Sequence, residues 1–157
     1  MRAAASLLGV LLLGCGGGGG ITSSSVDRDG RYAGRWAGAN DVITLAFTLE
    51  EARCERGFLY TSCYAIGIGT FVTRAGRSGT MHVIASYDGG ETTVTLTFVA
   101  AQGGRTPATQ FGTEPRSYFV PRLASPVRLE GDIEPPSDPT VENLFGIESA
   151  AIVLVKE

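Results

Sequence analysis

Apolar and polar residues alternate along much of the chain, and this alternation constrains the fold more than any other feature. In ITLAFTLE, residues 43–50, every second side chain from Ile43 is apolar, and Thr, Ala or Glu stand between them. TTVTLTF, residues 92–98, repeats the design with threonine at alternate positions. A period of two places one set of side chains on each face of a β-strand. Both segments are therefore predicted to be strands with one buried face.

Six other segments have strand composition, and none shows a convincing helical period. They are 31–37, 64–73, 80–87, 117–123, 127–133 and 150–156. RAGRSG at 74–79 and DGG at 88–90 contain turn residues, and the second joins its strands closely enough for a hairpin. Two longer connections run over 101–116 and 134–141, where EPPSDP cannot join a sheet ladder. We therefore expect eight strands that are joined mostly by short turns.

Glycine recurs inside the predicted strands, at Gly34, Gly38, Gly67, Gly69 and Gly131. Interior glycine weakens a strand but permits the tight bends that closing a sheet requires. The short links also make neighbours in the chain neighbours in the sheet. We predict an all-β fold, a small antiparallel up-and-down barrel of about eight strands, with a β-sandwich as the alternative.

The N-terminal residues differ from the rest of the chain. Arg2 precedes an apolar stretch over 3–13, and five glycines follow Cys15. The stretch is about half of the roughly 20 residues that a membrane-spanning helix needs. A charge, an apolar region and the small Gly14 instead match a secretory signal peptide. A buried N-terminal strand is the alternative, but five glycines would then have to continue it at a high cost in entropy.

The residues LLG at 12–14, directly before Cys15, resemble the lipobox of bacterial lipoproteins. The resemblance implies that residues 1–14 are cleaved as a signal peptide and that Cys15 becomes the lipid-bearing first residue. Two or three acyl chains hold a protein at a bilayer almost permanently. In this family an aspartate after the cysteine retains the protein at the inner membrane. Gly16 stands there instead, which favours the outer membrane, on its periplasmic face or at the cell surface.

The rest of the chain divides into a tether and one domain. Residues 15–30, rich in Gly and Ser, are predicted to form a flexible tether with a reach of roughly 20 Å. Residues 31–157 form the barrel domain. Once Arg2 leaves with the signal, 12 Lys and Arg face 16 Asp and Glu. This balance gives no electrostatic reason to bind nucleic acid, so membrane association is expected through the lipid on Cys15 alone.

Two cysteines remain in the barrel domain, Cys54 and Cys63. An exported, oxidising compartment makes a structural disulfide the expected state of an even pair. A metal site is the alternative, but it needs further ligands, and His82 is the only histidine of the chain. A redox-active pair is less well supported, because the spacing is not CxxC. We expect no metal and no cofactor.

Gly34-Arg35-Trp36 on the first predicted strand resembles the Gly-x-Trp of lipocalins, and avidin-like barrels open with a similar strand. These calycin-like barrels bind small ligands at their open end. In lipocalins an arginine covers the tryptophan, and the nearest substitute here is Lys156. Antiparallel pairing of the first and last strands is expected to place Lys156 nearer Tyr32 than Trp36.

Four aromatic residues are the candidates for lining a ligand pocket. They are Tyr32, Trp36, Tyr64 and Phe71. An eight-stranded barrel encloses little more than its own inward side chains or one small ligand. The predicted function is a lipid-anchored, non-enzymatic envelope barrel that binds a small apolar ligand or lipid. The alternative is a filled, structural barrel that binds an envelope protein or acts as an inhibitor, and an envelope enzyme is the third reading.

Catalytic and calcium-binding readings find little support in the sequence. His82 and Ser86 share one face of a predicted strand, but four residues separate them by about 13 Å, which is too far for a nucleophile and its base. We therefore predict no catalytic residue. The acidic residues of GDIEPPSDPTVE, at 131–142, fit no defined calcium loop and are predicted to form a solvated acidic loop.

Overall fold

The structure is a computed structural model that describes residues 24–26, 31–56, 61–88, 94–101 and 114–157. These residues form eleven strands. They are β1 (Ser24–Val26), β2 (Gly34–Ala39), β3 (Ile43–Leu49), β4 (Arg53–Arg56), β5 (Thr61–Thr73), β6 (Ser78–Asp88), β7 (Val94–Ala100), β8 (Arg116–Phe119), β9 (Arg122–Ser125), β10 (Arg128–Glu134) and β11 (Ala150–Lys156). The described part of the chain contains no helix that could cross a membrane.

The strands form a closed antiparallel barrel of eight staves, with β1 as an additional strand. β3 and β4 both pair with β5 and form one interrupted stave, and β8 and β9 do the same beside β10. The barrel closes where β11 pairs with β2. Every stave pairs with the staves before and after it in the chain, so the predicted up-and-down barrel is confirmed.

The alternating segments bury the faces that the sequence predicts. Along β3 the side chains of Ile43, Leu45, Phe47 and Leu49 are buried, and those between them are exposed or half-buried. On β7 the buried residues include Val94, Leu96 and Phe98. Leu45 pairs with Phe71 across the β3–β5 ladder. The inward side chains of the staves therefore form one continuous apolar core.

Three short strands were not predicted, because each lacks the alternating pattern. β1 lies inside the segment predicted to be the tether and pairs with β4. β4 has the sequence RCER, in which Cys54 is the only apolar residue. β9 follows Val120 and Pro121, and Pro121 interrupts the stave because it has no N–H for the ladder. The predicted signal peptide, Cys15 and the rest of the tether lie outside the described residues.

Two glycines show why the barrel needs residues without a side chain. A Cβ on Gly67 would meet the carbonyl oxygen of Thr48 on the neighbouring strand β3. A Cβ on Gly38 would meet the backbone of Val153 at the seam between β2 and β11. Backbone atoms of neighbouring strands cannot move aside as a flexible side chain can. Both glycines therefore permit the close approach of strands that the closed sheet requires.

Cys54 and Cys63 form a disulfide across the β4–β5 hairpin, as predicted. The two residues are directly opposite in the ladder, with their Cα atoms 4.0 Å apart. Both side chains are buried in the core. The bridge therefore fixes this hairpin where it extends beyond β3 and carries β1 on its outer edge.

Candidate functional site

The interior of the barrel is filled by the protein's own side chains. Its largest fully buried residues are Trp36, Tyr32, Phe98, Phe119, Phe145, Ile43, Leu45, Leu49, Met81, Leu96, Leu129 and Ile133. Eight staves leave room for inward side chains or for one small ligand. Large side chains from every part of the barrel occupy that room here. The grooves described below open on the surface.

A segment between β10 and β11 caps one end of the barrel. Residues 135–149 cross this end, and Leu144 and Phe145 are buried. The ring centroid of Phe145 lies 5.0 Å from that of Phe71 and 5.5 Å from that of Phe98. Phe145 thus occupies the position at which a ligand would enter from this side. We call residues 135–149 the cap.

Polar contacts hold the cap on two neighbouring parts of the barrel. Arg77, in the turn between β5 and β6, donates from Nη2 to a carboxylate oxygen of Glu142 at 2.8 Å and from Nη1 to the carbonyl of Asn143 at 3.3 Å. The hydroxyl of Ser117 donates to Oδ1 of Asn143 at 3.1 Å. The backbone of Arg116 exchanges hydrogen bonds with Glu142 and Leu144. These contacts fix the backbone on both sides of the buried pair.

The opposite end of the barrel contains the Gly-x-Trp strand. The indole Nε1 of Trp36 donates to the carbonyl of Tyr32 at 2.8 Å, and the Tyr32 ring packs edge-on against Tyr87 with 4.5 Å between centroids. The expectation that Lys156 lies nearer Tyr32 is wrong, because β11 pairs with β2 in the register that sets Lys156 opposite Trp36. Lys156 Nζ lies 5.8 Å from the Trp36 ring centroid and donates to the carbonyl of Arg31 at 3.3 Å.

The structure does not bring the four candidate ligand-binding aromatics together. Tyr32 and Trp36 are hydrogen-bonded at one end, whereas Phe71 is packed on Phe145 at the capped end. Tyr64 alternates with buried residues on β5 and lies half-buried on the outer face. Three of the four are thus core residues on present geometry, and a ligand-binding role for the set stays a prediction.

His82 and the acidic residues are also dispersed. His82 is half-buried and Ser86 exposed on the outer face of β6, as their shared parity predicts. The hydroxyl and backbone N–H of Thr140 donate hydrogen bonds to Asp138, and these lower the pKa of its carboxyl below the ordinary 3.8. Glu142 is ion-paired with Arg77. Among the described residues, no three His, Cys, Asp or Glu side chains are placed to hold a metal ion.

The outer surface of the barrel has one uncharged side. It consists of the even-numbered residues 44–48 on β3, 64–72 on β5 and 78–86 on β6, and of the odd-numbered residues 95–99 on β7. None of these sixteen positions is Asp, Glu, Lys or Arg. We call this surface the neutral face. The opposite side carries exposed or half-buried charges, which include Arg35, Arg116, Arg122, Arg128, Glu130, Asp132 and Glu134.

A groove of about 540 Å³ lies across the neutral face. Small residues line it, among them Ala46, Thr70 and Thr80, and it dips where Gly69 has no side chain. Ile68 stands at its rim with 67% of its surface exposed. Sequence reasoning missed this face because it followed the buried positions of each strand. The signal was present in the alternate positions, which are threonine, serine or aliphatic in four successive staves.

The barrel is consistent with the calycin-like resemblance in its strand number, its antiparallel order and the contact of Lys156 with Trp36. Comparison of the chain with protein-family models, with curated proteins and with solved structures finds no match. The functional argument therefore rests on the filled interior, the cap and the neutral face.

Proposed function

We propose that the chain is a lipid-anchored, non-enzymatic barrel of the cell envelope, and that its outer surface binds an envelope protein. The observation that carries this proposal is the filled interior, which Phe145 closes at the capped end. A barrel that uses its interior for its own core leaves the outer surface for binding. Of the two functions predicted from the sequence for a non-enzymatic barrel, partner binding thus fits the geometry better.

The anchor is argued from the sequence. The residues LLG at 12–14 and Cys15 resemble a lipobox, and Gly16 favours the outer membrane. The barrel domain begins some fifteen residues later, so the lipid would hold it close to the bilayer without crossing it. In this position the domain meets other proteins of the same envelope.

The neutral face is the part of the outer surface best suited to contact a protein. The centres of protein interfaces are depleted in charged residues, because each buried charge must be paired. Exposed apolar side chains in a contiguous patch mark such interfaces on soluble domains. Ile68 and Val72 are 67% and 55% exposed on this face, and neither has a charged outward neighbour on its own strand.

Binding of a small apolar ligand inside the barrel is the second candidate. It is favoured by the fact that Phe145 comes from a surface segment, whose Arg77–Glu142 ion pair is exposed on both sides. Departure of Phe145 would leave an apolar space beside Phe71 and Phe98. In this case the cap would have to open before a ligand could enter.

Native mass spectrometry of the protein extracted from its membrane in mild detergent tests the two candidates. We expect a chain that starts at Cys15, carries acyl mass, and is retained in a protein complex without a small molecule. A retained small apolar molecule in place of a protein would overturn partner binding in favour of the second candidate. A Cys15→Ser variant is the matched control, and an unmodified wild-type Cys15 would refute the anchor.

A further inference from the structure

We infer that the neutral face is the contact surface for a second copy of this chain, so that the anchored protein is a two-fold symmetric dimer. This inference rests on the proposed function and names the partner that the face would bind. It is argued from the absence of charge on the face, from its relief and from its size.

The absence of charge makes the face compatible with itself. When the same surface meets its own copy across a two-fold axis, every charge near that axis approaches a like charge. On the opposite side of the barrel, Arg128, Glu130 and Asp132 follow one another on β10, and burying that side would desolvate them. The neutral face has no Asp, Glu, Lys or Arg to desolvate.

The relief of the face supplies a projection and a recess side by side. Ile68 is 67% exposed at the rim of the groove, and the groove floor is lowered at Gly69. Ile68 and Thr70 are successive outward positions on β5, and Thr70 pairs with Thr80 across the ladder. A two-fold axis through this part of β5 would insert the Ile68 side chain of each copy into the groove of the other. Sheets that pack face to face interdigitate their side chains in this manner, about 10 Å apart.

The strands beside Ile68 extend the apolar contact. Ile66 pairs with Ile84, and Ile68 pairs with His82, which in turn pairs with Val99 on β7. Each outward position covers roughly 33 Å² in projection, from a strand spacing of about 4.8 Å and a two-residue repeat of about 6.8 Å. Sixteen positions therefore cover roughly 500 Å², and their accessible area is larger because the side chains stand out from the sheet. A standard interface buries about 800 Å² of accessible surface on each partner, so the face is of the size that a dimer needs.

The membrane anchor would favour this contact. Two lipidated copies share one membrane plane, and their tethers let the domains reorient, so that the local concentration of one face near another is raised. A modest contact area then suffices for a populated dimer.

Site-specific photo-crosslinking of the full chain in its own membrane tests the inference. A photo-reactive phenylalanine replaces Thr70 on the groove, and in a control chain it replaces Val155, which is 45% exposed on β11. We expect an adduct of twice the mass of one chain, composed only of this chain, from position 70 and not from position 155. An equal adduct from both positions would overturn the inference, because the contact would not be specific to the face.

The other outcomes separate this inference from the proposed function. An adduct with a different protein from position 70 would overturn the dimer and leave the proposed function standing. An adduct with lipid, or no adduct at all from position 70, would overturn the dimer and remove the neutral face as the binding surface. The mass spectrometry described above then decides whether another surface binds a protein.

A substitution in the crosslinking chain provides the second arm. Ile68→Arg places a charge at the centre of the face, and we expect at least a tenfold loss of the position-70 adduct. Val155→Arg is the matched control and leaves the adduct unchanged. Since both sites are exposed, each variant should keep the wild-type unfolding midpoint, which is measured in parallel. An undiminished adduct in the Ile68→Arg chain would refute the inference.

Discussion

Replacement of Phe145 by alanine removes the side chain that closes the capped end of the barrel. The ring is fully buried and touches two other aromatic rings, Phe71 in an edge-on arrangement and Phe98 in a tilted one. Truncation of a buried phenylalanine costs about 3 to 5 kcal/mol, which includes the loss of such ring contacts. Because the cap can settle partly into the vacated space, we expect a loss of about 3 to 4 kcal/mol in the free energy of unfolding. For a domain of this size, this lowers Tm by about 10 to 15 °C.

Equilibrium unfolding in urea measures this loss, and Trp36, the only tryptophan, reports it from within the core. Phe145→Leu retains most of the apolar volume and should cost about 1 to 2 kcal/mol. Glu142→Gln removes only the exposed ion pair of the cap and should cost less than about 0.5 kcal/mol. If Phe145→Ala were no more destabilising than Glu142→Gln, Phe145 would not fill the barrel, and the argument for a closed interior would be wrong.

Three further predictions concern the strands and the cap. Removal of the β4–β5 disulfide by a double alanine substitution should lower the free energy of unfolding by about 2.7 kcal/mol, from the entropy of a loop of about ten residues; an unchanged urea midpoint would contradict this. Gly67→Ala, which forces a Cβ against the Thr48 carbonyl, should cost at least about 2 kcal/mol, whereas Gly79→Ala meets only a movable ring and should change stability by less than about 1 kcal/mol. In a carboxyl NMR titration, Asp138 should have a pKa below 3.8 that rises in Thr140→Val. Since this pKa is lower than in the unfolded chain, the stabilisation is present above pH 3.8 and is lost as the pH falls through the depressed pKa; an unchanged pKa in the variant would refute the assigned cause.

The barrel could be predicted from the sequence because its main signal is local. Alternation in ITLAFTL fixed both the extent and the buried face of β3, and the range predicted for β11 agrees with the structure at both ends. Closure was inferred from glycines such as Gly67, whose role is confirmed by the approach of the Thr48 carbonyl. The short strand β4 has no comparable signal, since its pairing is set by the hairpin and the disulfide rather than by its own composition.

The site could not be predicted to the same extent, because it depends on register and on contacts distant in the chain. The position of Lys156 over Trp36 follows from how two strands 120 residues apart align, which neither strand encodes alone. The burial of Phe145 depends on Arg77 and Ser117, which hold the cap from other staves. In sequence, 135–149 contains prolines and acidic residues and has the appearance of a solvated loop.

The central claim is that the protein's own side chains fill the barrel, and nuclear Overhauser contacts between aromatic rings test it most directly. The protein is extracted from the membrane without added ligand and labelled in its phenylalanine rings. We predict contacts from the ring protons of Phe145 to those of both Phe71 and Phe98, at the positions given by centroid separations of 5.0 and 5.5 Å. Absence of both contacts, together with contacts from Phe71 to a bound apolar molecule, would show an open barrel and contradict the account.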